Sequence, residues 1–116
     1  MVFGFLRNKE ANSAHDNRDP LQVGLQLFNL TSCRKCDEPI LTTVGQGRIH
    51  EEQAEYEEAI QLYEKAERLT WQICGDRIRE LQEEFPSRPS DWDWLYLRVI
   101  RRRVRVCRRE LKKLDD

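Results

Sequence analysis

SDWDWLYLRVIRRRVRVCRRELKKL, residues 90–114, decides how this chain folds. Leu97, Ile100, Val104, Cys107, Leu111 and Leu114 recur at alternating steps of three and four, the heptad seam of a helix built to pair with another helix. Ser90 followed by Asp93 predicts the helix start: the hydroxyl takes an orphan amide and the acid favours the positive end of the helix. Trp92, Val99 and Val106 fall seven apart on another side, so cover on two faces is expected. Pro86 and Pro89 bracket a short connection upstream, and a short link between two helices favours antiparallel neighbours.

Working outward, residues 49–85 read as that neighbour. Ala59, Leu62, Tyr63, Ala66, Leu69 and Ile73 mark one helical face. The apolar stripe resumes beyond as Cys74, Ile78, Leu81 and Phe85, displaced by one residue, so a bend near Gly75 is expected. The two helices carry opposite charge. Residues 51–85 hold eleven acids against four bases, a net −7, and residues 98–113 hold nine bases against one acid, a net +8. The whole-chain charge of −1 hides this asymmetry, and only the local balance informs about partners.

Residues 21–50 read as β. Val23, Leu25 and Leu27 alternate, ILTTV at 40–44 is rich in β-branched residues, and GQG at 45–47 signals a turn. SCRKCDEP between the two runs predicts a hairpin whose tip is the Cys33–Cys36 turn. Residues 1–20, with an apolar patch at Val2, Phe3, Phe5 and Leu6 and then turn formers up to Pro20, read as a flexible leader. The expected fold is therefore mainly α with a small β-hairpin (α+β): a long antiparallel helical hairpin packed on a β-knuckle. It comprises one domain over 21–116, with the knuckle at 21–50, the acidic helix at 51–85 and the basic helix at 90–114. At 116 residues the chain has room for one modest core. The opening apolar run is too short for a signal peptide and no stretch is long enough for a transmembrane helix, so a cytoplasmic protein without membrane partners is expected.

In a reducing compartment, Cys33-Arg34-Lys35-Cys36 reads as a metal or redox pair more readily than as a structural bridge. Two thiolates in a tight turn chelate zinc, and the string resembles half a zinc ribbon or the first half of a treble-clef finger, with Asp37 where those families usually place glycine. That resemblance implies one structural zinc held by Cys33, Cys36 and, as third ligand, His50. The fourth is left among Glu51, Cys74, His15 and another chain. The plainer alternative is a pair of loop thiols. Cys74 and Cys107 sit on apolar stripes and read as core.

Tyr56-Glu57-Glu58-Ala59-Ile60-Gln61-Leu62-Tyr63-Glu64-Lys65-Ala66-Glu67-Arg68-Leu69 resembles the second helix of a tetratricopeptide repeat. In that family a small residue, an aromatic four later and an alanine three later pack helix on helix, matching Ala59, Tyr63 and Ala66, with Gly47 and Tyr56 at suitable offsets. The resemblance covers about residues 40–73 and implies peptide or protein binding. Composition predicts strand and turn for ILTTVGQG, where such a repeat requires a helix, and no second copy follows.

The basic helix places Arg98, Arg101, Arg102, Arg105, Arg108, Arg109 and Lys112 on the side opposite its seam. Arginine in preference to lysine suits forked contacts to phosphate or carboxylate. The stripe reads either as a nucleic-acid-binding face or as a solvated face paired with the chain's own acids, Glu51, Glu57, Glu58 and Glu64. No phosphate loop or serine elbow occurs, and the only histidines are His15 and His50. The expected function is non-enzymatic: an interaction or scaffold module, zinc-stabilised, that binds a protein partner or self-associates through the seam. The alternative is a nucleic-acid-binding accessory protein acting through the arginine stripe.

Overall fold

The computed structural model describes residues 17–84 and 95–115. The helix-start signals at Ser90 and Asp93, the prolines between the long helices, and the leader patch lie outside the described residues. Every regular element within them is helical: α1 (Pro20–Leu27), a 3₁₀ turn (Lys35–Asp37), α2 (Glu38–Glu52), α3 (Tyr56–Glu84) and α4 (Leu95–Asp115).

The β-knuckle expected over 21–50 is therefore not formed, and the fold is α, not α+β. Local chemistry explains part of this. Asp19 caps α1, its carboxylate accepting from the Leu21 amide at 3.1 Å, and Pro20 fits the first helical turn, where an amide would go unpaired anyway. Pro39 does the same for α2, and the Thr43 hydroxyl folds back to donate to the Pro39 carbonyl at 2.7 Å. Ile40, Leu41, Val44 and Gly45 also repeat with helical period, and all four are buried. Strand propensity is worth at most about 1 kcal/mol per residue, and packing overrides it here.

Gly45, expected in a turn, and Gly24 are contact points. A Cβ on Gly45 would fall 1.7 Å from the Pro20 carbonyl oxygen, and one on Gly24 would fall 2.0 Å from the Leu41 carbonyl oxygen. Helices α1 and α2 thus cross with backbones touching, which only glycine permits. Helix α1 closes with Asn29 in the left-handed region (φ 58°), and the Leu30 amide donates to the Leu25 carbonyl at 2.9 Å.

The acidic helix expected over 51–85 is α3, which starts only at Tyr56 because Glu51 and Glu52 end the preceding helix. Helix α2 runs on to Glu52, and the same closing motif follows: Ala54 turns left-handed (φ 63°) and the Glu55 amide donates to the His50 carbonyl at 2.9 Å. Helix α3 then runs unbroken through Gly75. Its buried residues Ala59, Tyr63, Ala66, Thr70, Cys74 and Ile78 keep one face inward by steps of three or four.

Neighbours in sequence are neighbours in space: α1 packs on α2, α2 on α3, and α3 on α4, alternately up and down. Helix α4 matches its expected form from Leu95 to Asp115, and Leu97, Ile100, Val104 and Cys107 are buried in the common core. Leu114, at the end of the seam, is 70% exposed. Phe28 after α1 meets Tyr96 of α4 edge to face, with ring centroids 5.2 Å apart, which closes the bundle at that end.

Candidate functional site

Two buried carboxylates at opposite ends of α2 tie the helices together. Glu51, 8% exposed, accepts the Tyr63 hydroxyl of α3 at 2.7 Å and both Nε and Nη2 of Arg103 on α4, with the Arg48 guanidinium 3.5 Å away. Burial, and then the bond to Glu51, raises the Tyr63 phenol well above its ordinary value. Burial lowers Arg103, but its bond to Glu51 and that carboxylate's charge more than offset this, so the guanidinium is held charged. Beneath them, burial followed by the charge of Glu51 pushes the Cys107 thiol up to about 11. Cys107 is a core residue, as its place on the seam implied.

Asp37, 3% exposed, sits at the other end of α2. It accepts Arg34 Nε and Nη2 at 3.2 Å each and the Tyr96 hydroxyl of α4 at 2.9 Å. The thiols of Cys36 and Cys74 approach its Oδ1 at 3.6 and 3.9 Å. Burial, then the Asp37 charge, raises the Cys74 thiol; burial, then Glu38 and Asp37, raises Cys33. All four cysteines are free thiols, with Cys36 exposed and Cys33 half-buried.

The expected zinc ligands are not brought together. Cys33 precedes the 3₁₀ turn leading into α2 and Cys36 lies within it, whereas His50 lies near the far end of that helix, its Nδ1 2.7 Å from Glu55 Oε1. Helical rise separates Cys36 from His50 by about 20 Å. Cys36 and Cys74 instead share Asp37 as a neighbour. Among the described residues no group of three or more histidine, cysteine, aspartate or glutamate side chains is placed to hold a metal ion. Arg34, its Nη2 3.2 Å from Asp37 Oδ1 and 3.9 Å from Cys74 Sγ, holds the cationic position beside the thiols.

The arginine stripe divides into two rows. On one flank Arg101 pairs with Glu67 at 3.1 Å and Arg108 with Glu64 at 3.0 Å, so part of the positive charge is met by α3, as the solvated-face reading anticipated for Glu64. Arg98 also carries an interaction. Arg102, Arg105, Arg109 and Lys112 point to solvent without an ion pair or hydrogen bond among the described residues. Arg102, Arg105, Arg108 and Arg109 line a shallow recess of about 400 Å³. Sequence reasoning passed over Arg103, one residue or about 100° beyond Arg102, and also Asp37, Tyr63 and Tyr96 as polar partners. The available signal was an arginine displaced from the exposed stripe toward the seam, which demands a buried acid.

A second recess lies across α2 and α3, lined by Lys35, Glu38, Pro39, Thr42, Thr43, Gln46, Lys65 and Leu69. No described helix is long and apolar enough to cross a membrane. Comparison with protein-family models, curated proteins and solved structures yields no match to this chain.

Proposed function

We propose that this chain is a non-catalytic protein-interaction module of the cytoplasm, built on a tetratricopeptide-like hairpin formed by α2 and α3. One observation carries the reading. Gly47 of α2 faces the ring of Tyr63 so closely that a Cβ there would lie 2.9 Å from it, with Ala59 and Ala66 fully buried on the same side of α3. These are the residues that carry the family resemblance, and the segment required to be helical is α2. Helices α1 and α4 cap the two sides of the hairpin, leaving one outward α2–α3 recess and one outward cationic face. The seam of α4 is spent inside the chain as far as Cys107, so the partner is a different protein and not a second copy paired through that seam.

The test is site-specific photo-crosslinking in cells from Thr42, on the α2–α3 recess, and from Arg109, on α4. A discrete protein adduct is expected from one of them. Adducts to nucleic acid, or none from either site, would remove the reading.

The unpaired cations favour a second reading, a nucleic-acid-binding accessory protein. It requires affinity for non-specific duplex DNA or RNA that falls steeply with salt, the slope counting the phosphates neutralised. The interaction reading predicts no measurable binding at about 50 mM salt.

We further propose that any zinc this chain carries is held at the Cys33–Cys36 turn. Protein purified without chelator is then expected to retain about one zinc by elemental analysis, and metal-free protein whose melting is indifferent to chelator would retire the site.

A further inference from the structure

Helix α4 presents two rows of cations, and the fold itself shows what one of them binds. Arg101 and Arg108 receive Glu67 and Glu64, carboxylates three residues apart on an antiparallel acidic helix. The adjoining row, Arg102, Arg105, Arg109 and Lys112, has the same character with no described helix against it. At 100° per residue these four fall within an arc of about 80° and extend along about 15 Å of the helix. Beside them, rotated away from the paired row, lie Leu95, Val99 and Val106. Leu95 is 47% exposed, and the two valines are half-buried. Among the described residues, this face of α4 is thus a cationic strip edged by an apolar one.

We propose that this face docks an acidic amphipathic helix of a partner protein. Its carboxylates, spaced three or four residues apart, meet Arg102, Arg105, Arg109 and Lys112, and its apolar residues cover Leu95, Val99 and Val106. The proposal rests on the protein-interaction reading above and names the partner's chemistry. Two features favour this occupant over a polynucleotide. Helix α4 already receives carboxylates of an acidic helix along its adjoining row. The apolar edge offers nothing to phosphate but fits the greasy side of a helix. The arginine forks suit carboxylates bidentately, as Arg103 already does with Glu51, and would suit phosphate as well, so the apolar edge is what discriminates. Exposed ion pairs contribute little singly, so the apolar strip supplies adhesion and the charges set partner and register.

The experiment measures fluorescence anisotropy of the full chain with a labelled synthetic helix of about four turns, carrying glutamates at helical spacing along one strip and leucines along the next. Control probes replace the glutamates by lysines, replace the leucines by serines, or are single-stranded and duplex DNA of matched charge. The acidic leucine-bearing helix is expected to bind, and both altered peptides to bind at least about tenfold more weakly. Reversing three cations (Arg102→Glu, Arg105→Glu, Arg109→Glu) is expected to weaken the acidic peptide about tenfold or more and to confer binding of the lysine peptide. That gain cannot be mimicked by unfolding. Should reversal leave affinity unchanged while Thr42→Arg on the other recess abolishes it, the docking face is wrong and the interaction reading stands. Tighter, salt-steep binding of DNA than of any peptide would overturn both. Concentration-dependent dimerisation abolished by the same reversal would assign the face to a second copy and overturn this proposal.

Discussion

Replacing Glu51 with alanine is expected to destabilise the protein by about 3–5 kcal/mol, the range for breaking a buried ion pair by removing one partner. The carboxylate is the meeting point of Tyr63 from α3 and Arg103 from α4, and it sits at the end of α2. Its loss strands a fully buried phenol and a guanidinium whose side chain is only 21% exposed. Leaving buried polar groups unpaired is what makes such deletions costly, more than the loss of the attraction itself. A domain of this size has a total stability of about 5–15 kcal/mol, so a substantial part of it is at stake. Glu51→Gln keeps an acceptor for Tyr63 but removes the charge, and should fall between wild type and Glu51→Ala. Urea unfolding followed by circular dichroism reads this as a lower midpoint at unchanged slope. A midpoint within error of wild type for Glu51→Ala would mean that this network does not hold the three helices together.

Gly45→Ala is the second large effect, and its sign opposes helix propensity. In an open helix the change would stabilise by up to about 1 kcal/mol. Here the new methyl would stand 1.7 Å from the Pro20 carbonyl oxygen, 2.6 Å from its carbon and 3.0 Å from the Gly24 nitrogen. All three are backbone atoms, so no side chain can turn aside. Helix α1 must lift off α2, uncovering Val23, Leu25 and Phe28. The net cost is expected to reach about 2 kcal/mol or more, as for other overpacked contacts. Hydrogen exchange should show α1 amides losing protection before those of α3. Gly75→Ala is the control, because its Cβ meets only the ends of Arg79 and the Trp71 ring edge at 3.4–3.5 Å. That change should be neutral or mildly stabilising. Equal losses at Gly45 and Gly75 would show that the α1–α2 contact is not the cause.

These two residues also mark where reading the sequence succeeds and where it stops. Leu97, Ile100, Val104 and Cys107 announced the buried face of α4 through spacing alone, and the same spacing put Arg102, Arg105 and Arg109 outside. The alternating Val23, Leu25 and Leu27 and the β-branched run at 40–44 pointed to strands because eight residues are too few to separate the two periods cleanly. Gly45 and Gly47 were taken for a turn, since their real role, letting Pro20 and Tyr63 approach, involves residues 25 and 16 positions away. His50 is a ligand candidate beside Cys33 and Cys36 only through the treble-clef resemblance, in which the helix after the hairpin supplies ligands from its first turn. A helix instead carries it off along the axis.

Periodicity is a property of one element, and without further help it announced amphipathic helices over 51–85 and 90–114 with an outward row of arginines, which among the described residues are α3 and α4. Which helix lies against which, and therefore that Glu51 meets Arg103 and that Cys74 joins Cys36 at Asp37, depended on the tertiary structure. Local preferences differ by about 1 kcal/mol or less, whereas burying a face or pairing a carboxylate weighs several times as much. Where the two disagree, as across residues 20–52, packing prevails.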